Sequence, residues 1–135
     1  MVLSGDDTFS APSSQVYMYT AANGQAVWDD TGHLYALTSA TATINDYGDL
    51  AEGESVGVEF VMVPDAIADG GQTDLESWSN DSNVFQFIRI EDIAYDRNDP
   101  RTVYMADTGE PRAVPDGVTG RLRRGSSGTN GTYMN

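Results

Sequence analysis

Short runs of period-two alternation, each closed by turn-forming residues, recur along this chain of 135 residues and point to strands rather than long helices. In Gln15 to Thr20, Val16 and Met18 fall on one side and Tyr17 and Tyr19 on the other, with β-favouring residues throughout. Ser55 to Val63 repeats the pattern, with Val56, Val58, Phe60 and Met62 sharing a face. Pro64 cannot donate to a ladder and ends that strand.

Between these runs the chain turns often. Asn23-Gly24 predicts a turn, and Ala26 to Trp28 and His33 to Thr38 flank Asp29-Asp30-Thr31-Gly32, whose final Gly suits a left-handed hairpin residue. Together these segments predict a meander of three short strands. Asn45 to Glu54 is acidic and Gly-containing and reads as a surface loop, and Asp65 to Gln72 as a polar linker. Thr73-Asp74-Leu75-Glu76 fits a capping box with Thr73 as N-cap, so a short helix is predicted over Asp74 to Asn80, with Leu75 and Trp78 facing the sheet. Gly117, Gly120, Gly125, Gly128 and Gly131 mark an irregular end. The expectation is an all-β fold of antiparallel meanders with one short helix, a single β domain over 1–116, and a Gly/Ser-rich loop or tail over 117–135.

The densest information lies in Phe87 to Gly109. Ile88 and Ile90 alternate with Arg89 and Glu91, as in a half-buried strand with one polar face. Asp96 to Arg101 supplies a reversal around Asp99-Pro100, and Thr102 to Ala106 returns as a strand ending at Asp107-Thr108-Gly109. An EF-hand reading of the Asp96 loop fails, because Pro100 and Arg101 stand where such a loop needs an oxygen ligand and a glycine.

Composition removes several function classes. With 7 basic against 21 acidic residues the formal charge is −14, and every basic residue is an arginine. A phosphate backbone would be repelled, so nucleic acid is excluded as a partner, whereas cations are compatible. Much of this charge reads as a solubilising acidic surface. Cysteine is absent, which removes disulfides, thiol catalysis and thiolate metal sites. No run approaches the roughly 18 apolar residues of a spanning helix, and Met1-Val2-Leu3 leads into Gly-Asp-Asp rather than a signal peptide, so no membrane association is expected. His33 is the lone histidine and reads as a strand residue; Ser126-Ser127 has no histidine partner for a triad. No phosphate-binding Gly loop occurs, and the Asn80-Asp81-Ser82 and Asn130-Gly131-Thr132 sequons are weak signals.

The Arg89-Ile90-Glu91-Asp92 strand start, the Asp99-Pro100 turn and Tyr104-Met105-Ala106-Asp107-Thr108-Gly109 together resemble a segment of PhoX-type alkaline phosphatases, calcium-dependent bacterial enzymes built on a β-propeller. Gly5-Asp6-Asp7 with the Tyr-rich Ser14 to Tyr19 is similar to a Gly-Asp-Asp turn and strand of that family, and Gly120 to Gly125 with Gly128 to Gly131 to one of its loops. The resemblance implies a phosphoric monoester hydrolase acting on small phosphate esters with Ca²⁺ and a second metal such as iron, in a secreted or periplasmic parent. It implies Glu91 as a metal ligand and, through the Gly-Asp-Asp likeness, Asp7 as a further metal candidate; the adjacent Asp92 is a third metal candidate, and Arg89, whose guanidinium can bind phosphate oxygens bidentately, is the substrate-binding candidate. Alternation places Glu91 and Asp92 on opposite faces, so that one of them ties down neighbouring backbone. Arg89 and Glu91 share a face, where an ion pair is the first expectation.

A propeller blade takes roughly 40 to 45 residues, so this length corresponds to about two to three blades and does not close a ring. The chain is therefore expected to be a fragment or truncated member of that family, weakly active or inactive by itself. The alternative is a non-catalytic acidic β module that binds cations or assembles with copies of itself, as a homo-oligomer, through open sheet edges.

Overall fold

In a computed structural model, described for residues 1–7, 14–109, 113–118 and 120–124, the chain is predominantly β. Strands β1 (Val2–Asp7), β2 (Ser14–Thr20), β3 (His33–Ser39) and β4 (Val58–Met62) form one antiparallel sheet in sequential order. The hairpin of β5 (Ile90–Tyr95) and β6 (Val103–Asp107) and that of β7 (Ala113–Pro115) and β8 (Leu122–Arg124) form two-stranded sheets.

The sheet buries both faces. Tyr17, Ala36, Val63 and Val84 form one cluster, against which Val61, Ile67, Leu75 and Trp78 pack. Its cover is α2 (Asp65–Ala68) and α3 (Gln72–Asp81), with Leu75 and Trp78 turned to the sheet as their spacing predicts. Val16, Leu37 and Ile90 form the second cluster on the opposite face, with Phe60, Phe87 and Ile93 packed on it. Adjacent residues such as Val16 and Tyr17 thus serve different clusters, the consequence of period-two alternation in a sheet covered on both sides.

Several local expectations give way to competing interactions. Ala26 to Trp28 is not a strand but the end of a helix, α1 (Gly24–Trp28), because Asn23 acts as N-cap and accepts from the Ala26 N–H at 3.0 Å. In the turn that joins α1 to β3, Asp30 rather than Gly32 takes the left-handed conformation, with φ of 50°. Gly32 is demanded by space instead: a Cβ there would lie 2.3 Å from the Thr20 carbonyl oxygen. Gly5-Asp6-Asp7 is not a turn but the end of β1, paired with Val16, Gln15 and Ser14. Gly5 allows the close approach of β5, since a Cβ there would stand 2.6 Å from Ile90 Cγ2. The polar linker after Pro64 contains α2, and α3 starts two residues earlier than the capping box suggests. Its N-cap is Gly71, whose N–H is taken by the Asp74 carboxylate at 3.3 Å, while Glu76 accepts from Gln72 Nε2 at 3.1 Å. Within the segment read as irregular, Leu122–Arg124 pairs with Ala113–Pro115; Ser126-Ser127, Asn130-Gly131-Thr132 and the rest of 125–135 lie outside the described residues. No helix among the described residues is long and apolar enough to cross a membrane.

Candidate functional site

Arg89, Glu91 and Asp92 come together where the chain enters β5. Ile88 and Ile90 are buried, at 0% and 4% exposure, and anchor the segment, which turns Arg89 and Glu91 outward. The register between β5 and β6 slips here: Ile90 faces Asp107 and Asp92 faces Ala106, leaving Glu91 as the extra residue of a bulge. The bulge breaks strict alternation, so Glu91 and Asp92 are both exposed instead of one being turned inward. The backbone-tying role expected of Asp92 falls to Asp107. Its carboxylate accepts from the N–H groups of Ile88 at 2.9 Å, Arg89 at 3.0 Å and Gly109 at 2.9 Å.

Arg89 Nη2 donates to Glu91 Oε1 at 2.6 Å, the expected ion pair, on side chains that remain 30% and 40% exposed. A short charge-assisted bond of this kind orders two side chains at a surface that a ligand can reach. Asp7 ends β1 opposite Ser14, but its side chain lies outside the described residues. Ca²⁺ takes about six to eight oxygen ligands, more than Glu91 and Asp92 supply. Among the described residues no three His, Asp or Glu side chains stand close enough to hold one ion. The donor type fits a hard cation; the donor number calls for further ligands.

Around the hairpin tip, Asp96 accepts from the N–H groups of Asn98 at 2.7 Å and Asp99 at 3.3 Å, and from Tyr104 Oη at 3.1 Å. These bonds hold its carboxyl below the usual carboxylate range. Asp99 is held low by Arg101, whose side chain and backbone N–H both donate to it. The loop is thus a self-satisfied turn. His33 is exposed, with Nδ1 3.4 Å from the Asp65 carboxylate.

A polar cavity of about 450 Å³ escaped the sequence reading. Its lining includes Asp46, Asp49, Asn80, Asn83 and Arg121. Asp46 and Arg121 are 8% and 6% exposed. Burial, then the neighbouring Asp49 charge, raises the Asp46 carboxyl above its ordinary value, against bonds from backbone N–H groups such as Gly48 and the Arg121 charge. Burial lowers the Arg121 guanidinium, against the Asp46 charge. Arg121 Nη1 donates to Asn83 Oδ1 at 3.1 Å and Nη2 to the Val84 carbonyl. The Gly-Arg-Leu-Arg-Arg run carries no sign that its first arginine goes inside; only the fold brings it to Asn83 and Val84.

Comparison of the chain with protein-family models, curated proteins and solved structures finds no match.

Proposed function

We propose that this chain is part of a PhoX-like, metal-dependent phosphatase, with Glu91 as a metal ligand and Arg89 as a phosphate-binding residue. The observation that carries this reading is the partly exposed Arg89–Glu91 pair at the bulged start of β5, at 2.6 Å. Bulges re-aim side chains beside active sites, and here the bulge presents a carboxylate and a guanidinium side by side. The sequential four-stranded sheet supports the reading too, since propeller blades are four-stranded antiparallel sheets; on this reading β5 and β6 open the next blade.

A bound Ca²⁺ would polarise a phosphoryl oxygen and neutralise charge developing on it. With Glu91 holding such a cation, the planar fork of Arg89 would be available to donate to two phosphate oxygens. The Asp107 carboxylate, which accepts from the Arg89 N–H at 3.0 Å, would hold that backbone in place in either arrangement. Asp92 and Asp7 are further candidates for the same ion, which needs more oxygens than these to be held tightly. The isolated chain is accordingly weakly active or inactive.

The test is a calcium titration followed by thermal melting, together with p-nitrophenyl phosphate turnover. Calcium raises the midpoint of the wild type and much less that of E91Q, because a ligand of the folded state alone must stabilise it. Equal rises in both would remove Glu91 from the metal site. Fast turnover that E91Q abolishes would overturn the view that the chain is only part of the enzyme.

A second reading, a non-catalytic acidic module that assembles with itself, is favoured by one observation: among the described residues β4 ends its sheet with an open edge.

A further inference from the structure

The two edges of the four-stranded sheet are unequal. Beside β1 lies β5, close enough that Gly5 has no room for a side chain against Ile90. Among the described residues β4 is hydrogen-bonded to β3 alone. The sequence of β4, Val-Glu-Phe-Val-Met, contains no proline or lysine, and its one charge is Glu59. Natural edge strands are usually blunted by such residues; this one is not.

Its register fixes which backbone groups face outward. Val63 N–H donates to the Leu34 carbonyl at 2.8 Å and Ala40 N–H to the Gly57 carbonyl at 2.8 Å, in a register that pairs Val61 with Ala36 and Glu59 with Thr38. Odd-numbered residues therefore bond to β3, and Val58, Phe60 and Met62 direct their N–H and C=O groups to the open edge. The same three side chains share the sheet face of the Val16, Leu37 and Ile90 cluster. Phe60 packs on that cluster, while Val58 and Met62 remain 50% and 55% exposed.

We propose that β4 pairs antiparallel with β4 of a second copy of this chain, about a two-fold axis at Phe60. In that register Phe60 faces Phe60 of the other copy and Val58 faces its Met62, and each pair exchanges both backbone hydrogen bonds. Glu59 falls opposite Val61, so the one charge of the strand does not meet itself. Val58, Phe60 and Met62 of both copies then form a continuous apolar stripe, extending the second cluster across the axis. Because each copy carries a formal charge of −14, association strengthens as salt screens the repulsion. This pairing rests on the self-assembly reading given above and does not depend on the metal reading or on Glu91.

Sedimentation analysis at low and high NaCl provides the first arm of the test. The expected result is a reversible dimer of the 14.5 kDa chain whose fraction rises with protein and with salt. V58K/M62K, which alters exposed side chains only, weakens it about tenfold or more without changing the circular dichroism spectrum. A monomer at every concentration and salt, or undiminished association in V58K/M62K, overturns the proposal. Cross-linking gives the second arm, clean because the chain has no cysteine. Directly opposed residues stand about 5.5 Å apart at Cα, within disulfide reach. V58C/M62C therefore forms a linked dimer on mild oxidation and V58C alone does not; linking by V58C alone, or none by the double variant, contradicts the register.

Discussion

The Asp107 carboxylate holds the backbone N–H of Arg89 at 3.0 Å, tying the end of β6 to the residue just before β5. The same carboxylate holds Ile88 and Gly109, so one side chain fixes the entry to the bulge and the exit from the hairpin. Hydrogen bonds to charged groups contribute about 1.5–3 kcal/mol each, and these share one acceptor. D107A is expected to lose about 2–4 kcal/mol in urea unfolding, and D107N less, since one carbonyl oxygen remains. A loss under about 0.5 kcal/mol for D107A would mean that the segment is held by its buried isoleucines alone.

The ion pair beside it behaves differently. Arg89 and Glu91 are both partly exposed, and pairs of this kind contribute about 0–1 kcal/mol. E91Q should therefore match the wild type within about 1 kcal/mol in urea unfolding without metal. A larger loss would show that Glu91 is chiefly structural, and calcium effects in that variant would then report unfolding.

Docking of α3 depends on a polar contact in an apolar cluster. Tyr17 Oη and Ser79 Oγ lie 2.9 Å apart, both side chains buried. Y17F leaves the Ser79 hydroxyl without this partner and should cost about 1–3 kcal/mol, the cost of an unmade buried hydrogen bond. Hydrogen exchange should show the loss first in α3; unchanged protection there would contradict the account.

Arg121 joins the β7–β8 end of the chain to the turn after α3. R121M removes its bonds to Asn83 and the Val84 carbonyl and the favourable Arg121 charge near Asp46. Hydrogen bonds to a charged group contribute about 1.5–3 kcal/mol each, so a loss of about 2–4 kcal/mol is expected. Thermal melting checks this, and an R121M variant as stable as the wild type would show that these bonds do not hold the two segments together.

The hairpin tip should be acid-sensitive. Asp96 and Asp99 are held below their ordinary values by hydrogen bonds in the folded state. Their contribution is complete above the unfolded carboxylate pKa of about 3.9 and fades as pH falls through the lower folded values. An NMR titration should place both midpoints below those of an unfolded peptide; midpoints at or above it would contradict the turn geometry.

Much of the fold was legible because alternation reports which face is buried. Gln15 to Thr20, His33 to Thr38, Ser55 to Val63 and the hairpin around Asp99-Pro100 all appear as strands or turns close to where they were expected. The Leu75 and Trp78 spacing located α3 on the sheet. What escaped was decided by competition. Asn23-Gly24 serves a hairpin turn or a helix cap equally well in sequence, and the Ala26 N–H chose the cap. Gly5 looked like a turn glycine and is a strand glycine, because its constraint comes from Ile90, far along the chain. The pairing of Arg89 with Glu91 followed from spacing, whereas the bulge under Glu91 depends on cross-strand register with β6. Arg121 was invisible for a related reason: burial of one arginine among several is a tertiary choice.

The central claim is that Glu91 holds a metal ion, and residue-resolved NMR during Mn²⁺ titration tests it most directly. A paramagnetic ion broadens only nearby amides, so the account predicts that residues 89–92 fade first in the wild type and last in E91Q, with E52Q, an equal charge change on an exposed loop residue, behaving as wild type. Broadening spread evenly over the acidic surface, or unchanged at residues 89–92 in E91Q, would contradict it.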